Sequence, residues 1–323
     1  VLDVDRHGNP AQGWYLTTFG VAALPTDPSG AFSVIFDERG APVWYKRTPV
    51  PVLDFKRLSN GTMVYVPQLG QAFGVQPDRG YLNTDLSGAL VGGVSPNGEI
   101  RTVSPAQFPT DQHDYVELVE GPSAGGRAML SYPLVEPRNM TVLNTTLAGQ
   151  CGPLNPGTCP FTTNDRIVDG VIQEIDAAGN LICDWHASQH IPDADSTFPN
   201  RFTNIPLYST PPQAGVVDLH HLNALQRIED GTGDYLVTAR HLDAAFRVDR
   251  ATKNVEWFVG GAHTLCAPPA VTSNCRLSTI GDPFGGPMRP HDARLNGDVL
   301  TMMDNQVATG RPSRAVAYRI NTA

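Results

Sequence analysis

Short apolar runs recur along the chain, separated by turns rich in Asp, Asn and Gly. One repeated unit is an apolar strand that closes on Asp, a tight turn, and a second strand that in most copies contains Trp. It occurs as FSVIFDERGAPVWY, VIQEIDAAGNLICDW and FRVDRATKNVEWFVGG, and in a weaker form without Trp as LNTDLSGALVGGV. Apolar runs bounded by turns of this kind predict β-hairpins.

A second hairpin unit alternates with the first. It opens with Asp or His, continues as an apolar strand, and turns at a Gly-containing segment into another strand. Its copies are VLDFKRLSNGTMVYV, TDQHDYVELVEGPSAGGRAMLSY, VDLHHLNALQRIEDGTGDYLVTARH and MRPHDARLNGDVLTMMDN. Two hairpins in alternation predict a four-stranded antiparallel sheet that the chain repeats several times.

The repetition predicts an all-β fold, namely a β-propeller of six four-stranded antiparallel blades, with five or seven blades as alternatives. We expect one domain over residues 1–323, with an inserted loop region at about 133–170 that lengthens one interval between repeats. The strand-like segments GWYLTTFG and RAVAYRI, near the two ends, are expected to complete one blade between them. A pair of β-sandwiches is the competing architecture, but no linker-like segment divides the chain.

Composition narrows the function classes. The chain contains 31 Gly and 28 Pro, which argues against an all-α bundle, and its net charge of −9 comes without any Lys/Arg-rich run. A nucleic-acid binder needs a basic patch, and a membrane helix needs about 18 consecutive apolar residues. We therefore expect neither a nucleic-acid partner nor a membrane partner. The sequence gives no prediction of the oligomeric state.

The cysteines indicate an oxidising compartment. Cys151 and Cys159 are eight residues apart in one loop-like stretch, and Cys266 and Cys275 are nine apart in another. Two short-loop disulfides, with Cys183 left over, predict a secreted or periplasmic protein, whereas free thiols would suit the cytosol. The spacings do not match those of a zinc–thiolate site.

Histidines occupy matching positions of the second hairpin unit. They are His113, His221 and His291, while the copy at residue 52 has Asp54 instead. The inner strands of a propeller line its axis, so these side chains are expected to converge on one central pocket. Three imidazoles there would offer both proton transfer and ligand capacity.

Two further residues join this prediction. Asn223 follows His221 by two residues, which places both side chains on one face of a strand and His220 on the other face. Arg240 is expected on the neighbouring strand, where its planar guanidinium suits sulfate, phosphate or carboxylate oxygens. A surface ion pair is the alternative role for Arg240.

Other metal-binding patterns are weak. His186 and His190 are four residues apart, but they follow a strand and are expected in a loop rather than on a helix face. Asp193 and Asp195 lack the remainder of an EF-hand loop. The chain also lacks the signature sequences HExxH and the P-loop.

Taken together, the motifs resemble the arylsulfotransferase (ASST-like) family, in particular its fungal and actinobacterial branch. They are GWYLTT, the Asp-x-x-Gly-x-x-x-Trp turns, Asp-x-x-His-x-Asn, Ala-Arg-His, Val-Gly-Gly, Pro-His-Asp-Ala-Arg and Met-Asp-Asn. The resemblance is densest over residues 217–305. Nothing in the sequence corresponds to the extra N-terminal domain of the enterobacterial enzymes.

The resemblance implies a six-bladed propeller and transfer of a sulfuryl group from a phenolic sulfate ester to a phenol, without the nucleotide donor PAPS. It implies that His291 is the nucleophile that forms a sulfohistidine. It implies further that His221, Asn223, Arg240 and His113 are the supporting residues. The partner would be a small phenolic or other anionic substrate, and no cofactor would be needed.

Two other function classes compete with transfer. The pocket could belong to a lyase or hydrolase of an acidic glycan or ester, including a form in which His113, His221 and His291 hold a divalent metal. It could also belong to a non-catalytic binding propeller, an alternative that converging histidines argue against.

Overall fold

The computed structural model of the chain describes most of its residues. They are residues 11–19, 31–48, 50–67, 80–91, 99–100, 110–121, 123–146, 160–202, 215–266, 274–306 and 311–322. The chain divides into two compact units, Val1–Gln112 and His113–Ala323. Strands and their turns dominate both units, so the predicted all-β class with several antiparallel sheets is confirmed.

The first unit contains two antiparallel sheets. Its strands are β1 (Tyr15–Phe19), β2 (Ala31–Phe36), β3 (Pro42–Thr48), β4 (Val52–Arg57), β5 (Met63–Pro67), β6 (Tyr81–Thr84) and β7 (Glu99–Ile100). Their orders are β1-β2-β3 and β4-β5-β6-β7. Ile35, Val52, Phe55, Met63 and Tyr65 form a buried cluster between the strands.

The second unit begins within a long strand and contains four sheets in the part of the chain that is described. Its strands are β8 (Thr110–Leu118), β9 (Gly126–Ser131), β10 (Arg166–Val168), β11 (Val171–Ile175), β12 (Leu181–His186), β13 (Asn200–Phe202), β14 (Val216–Asp218), β15 (Leu222–Arg227), β16 (Tyr235–Ala239), β17 (Ala244–Val248), β18 (Val255–Gly260), β19 (Cys275–Leu277), β20 (His291–Asn296), β21 (Val299–Asp304) and β22 (Arg314–Arg319). The sheet orders are β12-β11-β9-β8, β10-β14-β13, β15-β16-β17-β18-β19 and β20-β21-β22.

Short helices interrupt these sheets. Among the described residues they are α1 (Val142–Thr146), α2 (Ala187–His190) and two single 3₁₀ turns, Asp193–Asp195 and Arg240–Leu242. No described helix is long and apolar enough to cross a membrane.

The predicted pairs of hairpins form two sheets in chain order. Strands β8, β9, β11 and β12 make one four-stranded antiparallel sheet, and β15 to β18 make another. Strand β19 extends the latter in parallel to β18, which hairpin patterns do not predict. Strand β1 pairs with β2, and β22 pairs with β21, so each extends a sheet near its own end of the chain.

The repeated Asp of the first hairpin unit has the same local role in every copy. One carboxylate oxygen of Asp37, Asp85 and Asp176 accepts hydrogen bonds from the backbone N–H groups two and four residues later. Asp249 accepts from the second and third residues instead, because its turn is one residue longer and Lys253 takes the left-handed conformation at φ 63°. These side-chain bonds replace the backbone partners that the turn cannot supply.

The Trp of this unit contacts the Asp turn of the following copy. Trp44 Nε1 donates to the carbonyl of Leu86 at 2.8 Å, in the turn that starts at Asp85. Trp185 Nε1 likewise donates to the carbonyl of Lys253 at 3.0 Å, in the turn that starts at Asp249. The same contact therefore joins successive copies within each unit.

The described part of residues 133–170 is more than the loop expected from the sequence. Strand β10 pairs in parallel with β14, and side chains from this region pack against that strand. The cluster comprises Met140, Leu143, Phe161, Ile167, Val217 and Leu219. Its packing holds the end of β14, where Asp218 lies.

The cysteine predictions have two outcomes. Cys266 and Cys275 form a disulfide, as expected, with their Cα atoms 4.9 Å apart. Cys183 is a free thiol, also as expected. The predicted partners Cys151 and Cys159 lie outside the described residues.

Candidate active site

Three strands of the second unit bring the predicted histidines together, and one carboxylate joins these strands. His113 lies on β8, His221 directly precedes β15, and His291 begins β20. Asp114, beside His113, accepts hydrogen bonds from Leu225 N of β15 at 2.7 Å and from Arg294 of β20 at 3.0 Å. Because Asp114 is buried, this carboxylate fixes the positions of all three strands.

His113 and His221 lie face to edge in the cluster. Their ring centroids are 5.4 Å apart with planes inclined by 71°. Tyr132 lies beside both rings, and its buried hydroxyl donates to the carbonyl of Leu222. The phenol therefore anchors the chain immediately after His221.

His221 forms a dyad with a buried carboxylate. Its Nδ1 lies 2.6 Å from Asp218 Oδ2, an arrangement that leaves Nε2 free of this contact. Burial alone would raise the pKa of Asp218, but the neighbouring imidazoles of His241 and His221 hold that pKa well below its ordinary value. The carboxylate is thus charged and can stabilise an imidazolium that forms on His221 during proton transfer, as in serine-hydrolase triads.

His291 is held through its Nδ1 atom. This nitrogen lies 3.1 Å from the carbonyl oxygen of Arg289 and 3.1 Å from the side-chain nitrogen of Asn305. Burial, followed by repulsion from His113 and His221, lowers the pKa of His291 to about 4. The imidazole is therefore neutral at physiological pH, which a nitrogen nucleophile requires.

The position of Asn223 in the cluster does not follow from the alternation of side chains along a regular strand, on which its prediction was based. The register of β15 with β16 shifts between Leu222 and Ala224, so Asn223 lies in a bulge. Its Nδ2 donates to the carbonyl of Pro290 at 2.9 Å, directly before His291. Its Oδ1 is buried and has no hydrogen-bond partner among the described residues. Asn223 therefore holds the backbone before His291 and leaves one acceptor unused.

Arg240 lies beside His221, although not on the neighbouring strand as predicted. Strand β16 ends at Ala239, and Arg240 opens the 3₁₀ turn, with its backbone N–H donating to the carbonyl of His221 at 2.9 Å. The predicted alternative was a surface ion pair, but no described carboxylate lies within ion-pair distance of this half-buried guanidinium.

His241 orients the guanidinium of Arg240. The Nδ1 of His241 lies 3.0 Å from the Asp218 carbonyl oxygen, and its Nε2 lies 2.8 Å from Arg240 Nη1. A carbonyl can only accept and a guanidinium can only donate, so Nδ1 carries the proton and Nε2 is the acceptor. Burial lowers the pKa of His241 to about 3, which keeps the ring neutral in this role.

Left-handed backbone conformations concentrate around the cluster. His221, Asp243, Arg289, Asp292 and Gln306 all have φ between 50° and 54°. Non-glycine residues adopt this region only when surrounding contacts compensate the strain, and such residues are common at functional sites. Asp54 of the first unit also has a positive φ, 49°, at the matching bulge of β4.

The described group that could hold a metal ion is not the predicted set of His113, His221 and His291. The described ligand atoms that come within 4.8 Å of one another belong to Asp218, His221 and His241. Both ring nitrogens of His241 and Nδ1 of His221 are already engaged in hydrogen bonds. The adjacent Arg240 guanidinium would repel a cation.

The weaker metal candidates have structural roles. His186 ends β12 with Nδ1 2.8 Å from Asp169, and His190 stacks on Trp185 at 5.4 Å between centroids. The segment after β12 is the short helix α2, where the sequence predicted a loop. His220 is packed in the interior, and neither ring nitrogen has a hydrogen-bond partner among the described residues.

The structure adds residues to those expected from the sequence. Asp218, His241, Arg289 and Asn305 lie within the quoted motifs, but the sequence assigned them no role. Phe198 is in none of the motifs and lies against Arg240 and Arg289. The sequence offered a clue only for Asp218, His241, Arg289 and Asn305, because they are polar residues close to predicted catalytic positions. It offered none for Phe198.

Comparison with solved structures gives only remote similarity. A crystal structure of a protein of unknown function from Bacteroides caccae is 10% identical, with a TM-score of 0.36, and the alignment covers 89% of this chain and 86% of that chain. BamB from Moraxella catarrhalis is 8% identical, with a TM-score of 0.31 and coverage of 90% and 71%. Scores at this level carry no argument about fold or function. No curated protein matches the sequence.

Sequence comparison at the level of families is decisive. Residues 158–323 match the family described as arylsulfotransferase (ASST). This segment is just over half of the 323 residues, and it includes His221, Asn223, Arg240 and His291 of the cluster. Membership implies a sulfotransferase that acts on aryl compounds. On this match, the chain belongs to the arylsulfotransferase (ASST) family.

Proposed function

We propose that the chain transfers a sulfuryl group from a phenolic sulfate ester to a phenol through a sulfohistidine on His291, with no nucleotide donor. The observation that carries this proposal is the neutral, buried imidazole of His291 beside His113, His221 and Arg240. A neutral imidazole is a competent nucleophile near neutral pH, so it can form a covalent intermediate.

In the first half-reaction, Nε2 of His291 attacks the sulfur of the donor. The N–S bond forms while the bond from sulfur to the aryl oxygen breaks, and the electron pair leaves with that oxygen. His221 Nε2 protonates the departing phenolate, and Asp218 stabilises the imidazolium that supplies the proton. His113, 5.4 Å from His221 between ring centroids, is the second candidate for this proton.

In the second half-reaction, the hydroxyl oxygen of the acceptor phenol attacks the same sulfur. Its proton passes to His221, the N–S bond breaks, and the electron pair returns to Nε2 of His291. The transferred group carries negative charge on its oxygens, as a phosphoryl group does, and Arg240 is positioned to stabilise it electrostatically. Ping-pong kinetics follow from this sequence of steps.

The six-bladed propeller remains part of the proposal. Repetition of the Asp turn, and of the Trp contact to the next turn, supports equivalent packing of successive repeats. A crystal structure of the whole chain tests the number of blades. The Cys266–Cys275 disulfide supports a secreted or periplasmic location.

The test of function is incubation with p-nitrophenyl sulfate and a phenol acceptor. We expect release of nitrophenol that depends on the acceptor, and loss of at least about 10³-fold in His291→Ala, since removing a nucleophile leaves only residual catalysis. Without acceptor, intact-mass measurement of the wild-type protein should show the addition of one SO₃ group to a single histidine.

The matched control is His190→Ala, because His190 lies against Trp185 outside the cluster. This variant should keep wild-type rates. Release that is independent of the acceptor would identify a hydrolase, and failure to turn over any aryl sulfate would overturn the transfer mechanism.

A further inference from the structure

Two guanidiniums lie over the ring of Phe198, next to the histidine cluster. The Cζ atom of Arg289 lies 3.7 Å from the ring centroid of Phe198, and that of Arg240 lies 5.6 Å from the same centroid. We call Arg240 and Arg289 the arginine pair. Phe198 is held in place because its backbone N–H donates to the carbonyl of His241 at 3.3 Å.

The arginine pair has no matching negative charge among the described residues. In the described part of the chain, no carboxylate lies within ion-pair distance of either guanidinium, although Asp243 attracts both groups, and Asp218 attracts Arg240, from farther away. Arg289 is only 8% exposed. Burial lowers the pKa of both groups, and repulsion between them lowers that of Arg240 further. Two neighbouring cations, one buried and one half-buried, are costly unless a ligand supplies the counter-charge.

The backbone of Arg289 links the arginine pair to the nucleophile. Its carbonyl lies 3.1 Å from His291 Nδ1, and its N–H donates to Asp243 Oδ1 at 2.7 Å. These bonds hold Arg289 at φ 52°. Gly260 permits this arrangement, since a Cβ there would come within 2.3 Å of the Asp243 carbonyl oxygen. Arg289 is thus fixed in position before any ligand binds.

We infer that Arg289 acts with Arg240 to bind the sulfuryl oxygens of the substrate, so that the arginine pair is a two-guanidinium seat for a sulfate group. The inference rests on the proposed function for the identity of the group. Each guanidinium presents parallel N–H donors that match two oxygens of such an anion. Asn223 is bonded to the Pro290 carbonyl, which leaves Arg289 as the second strong donor beside the cluster.

The test separates binding from chemistry by using His291→Ala protein, in which no transfer can occur. Sodium sulfate is titrated by calorimetry into this protein and into the same protein with Arg289→Gln or Arg240→Gln. Glutamine at position 289 keeps the backbone N–H and carbonyl that bond to Asp243 and His291, so Arg289→Gln removes only the guanidinium. We expect sulfate affinity to fall at least about tenfold in either double variant, since each removes a charged bidentate contact.

Two controls accompany the titration. Arg319→Gln removes an exposed arginine that pairs with Asp298, and it should leave sulfate affinity unchanged. Arg289→Lys retains charge without the planar fork and should bind with intermediate affinity. Thermal unfolding without sulfate verifies that each variant is folded.

The outcomes distinguish this inference from the proposed function. If adding Arg289→Gln to the His291→Ala protein leaves its sulfate affinity unchanged while it remains folded, the inferred sulfate site is wrong, even if sulfuryl transfer is confirmed. Sulfate binding that requires both arginines would establish the seat even if no aryl sulfate is turned over. In otherwise wild-type enzyme, Arg289→Gln should raise KM for the donor more than it lowers kcat for transfer.

Discussion

At the scale of single residues, the Nδ1 atom of His291 makes two contacts that favour opposite tautomers of its ring. The Arg289 carbonyl requires a proton on Nδ1 and leaves the Nε2 lone pair free for attack. The amide nitrogen of Asn305, at 3.1 Å, instead favours an unprotonated Nδ1. Asn305 therefore influences which nitrogen of the ring is nucleophilic.

Replacing Asn305 by Asp tests this role. A carboxylate can only accept, so Asn305→Asp fixes the proton on Nδ1, and its charge raises the pKa of His291 above about 4. We expect the acidic limb of the pH profile of kcat/KM to move to higher pH by roughly one to two units. Asn305→Ala, the control without charge, should not move the limb upward. An unchanged profile in Asn305→Asp would mean that Asn305 does not act on the ring.

The sequence predicted the members of the candidate site better than their geometry. The structure brings His113, His221, Asn223, Arg240 and His291 into one cluster. Their contacts could not be read from strand alternation, because the bulge after Leu222 interrupts the alternation on which that reasoning depends. The role of Arg289 depends on a ring more than ninety residues earlier in the chain, which no local pattern reveals.

At the scale of elements, the three histidine-bearing strands depend on Asp114. This carboxylate bonds to β15 and β20 from its place on β8. Hairpins are local and were therefore predictable, whereas the parallel pairs β10–β14 and β18–β19 are not joined by tight turns and were not. Contacts between strands that are far apart in sequence are what fix the site.

Asp114→Ala should destabilise the protein strongly. It leaves the buried Leu225 N–H without an acceptor, which costs about 1–3 kcal/mol. The loss at the Arg294 guanidinium is smaller, because this group is partly exposed and also pairs with Asp292. Urea unfolding followed by fluorescence measures the change in the free energy of unfolding. Asp298→Ala, which removes the exposed partner of Arg319, is the matched control and should have little effect. Equal stability of the two variants would show that Asp114 does not hold strands β8, β15 and β20 together.

At the scale of the whole molecule, stability depends on pH through the buried imidazoles. An unfolded imidazole takes up a proton near pH 6.5, whereas His291 does so near 4 and His241 near 3. Between these values the unfolded chain binds more protons than the folded chain. The contribution of these two imidazoles to the free energy of unfolding therefore falls as the pH falls from about 6.5 towards 4.

Comparing the wild type with His291→Ala isolates the contribution of His291 to the pH dependence of the free energy of unfolding. The variant should lose less stability between pH 7 and pH 4, by roughly 3 kcal/mol at most, since one pKa unit corresponds to about 1.4 kcal/mol. Urea unfolding at several pH values provides the measurement. Parallel pH dependences of the two proteins would show that His291 is not held neutral by the fold.

The backbone of Arg289 has a consequence for engineering this enzyme. One residue aligns the nucleophile through its carbonyl and contributes a guanidinium to the arginine pair. Selectivity and reactivity therefore cannot be tuned independently by changes that shift this stretch of chain. A library that seeks acceptance of uncharged donors should vary the side chain at position 289 and keep Asp243, Gly260 and Pro290 constant.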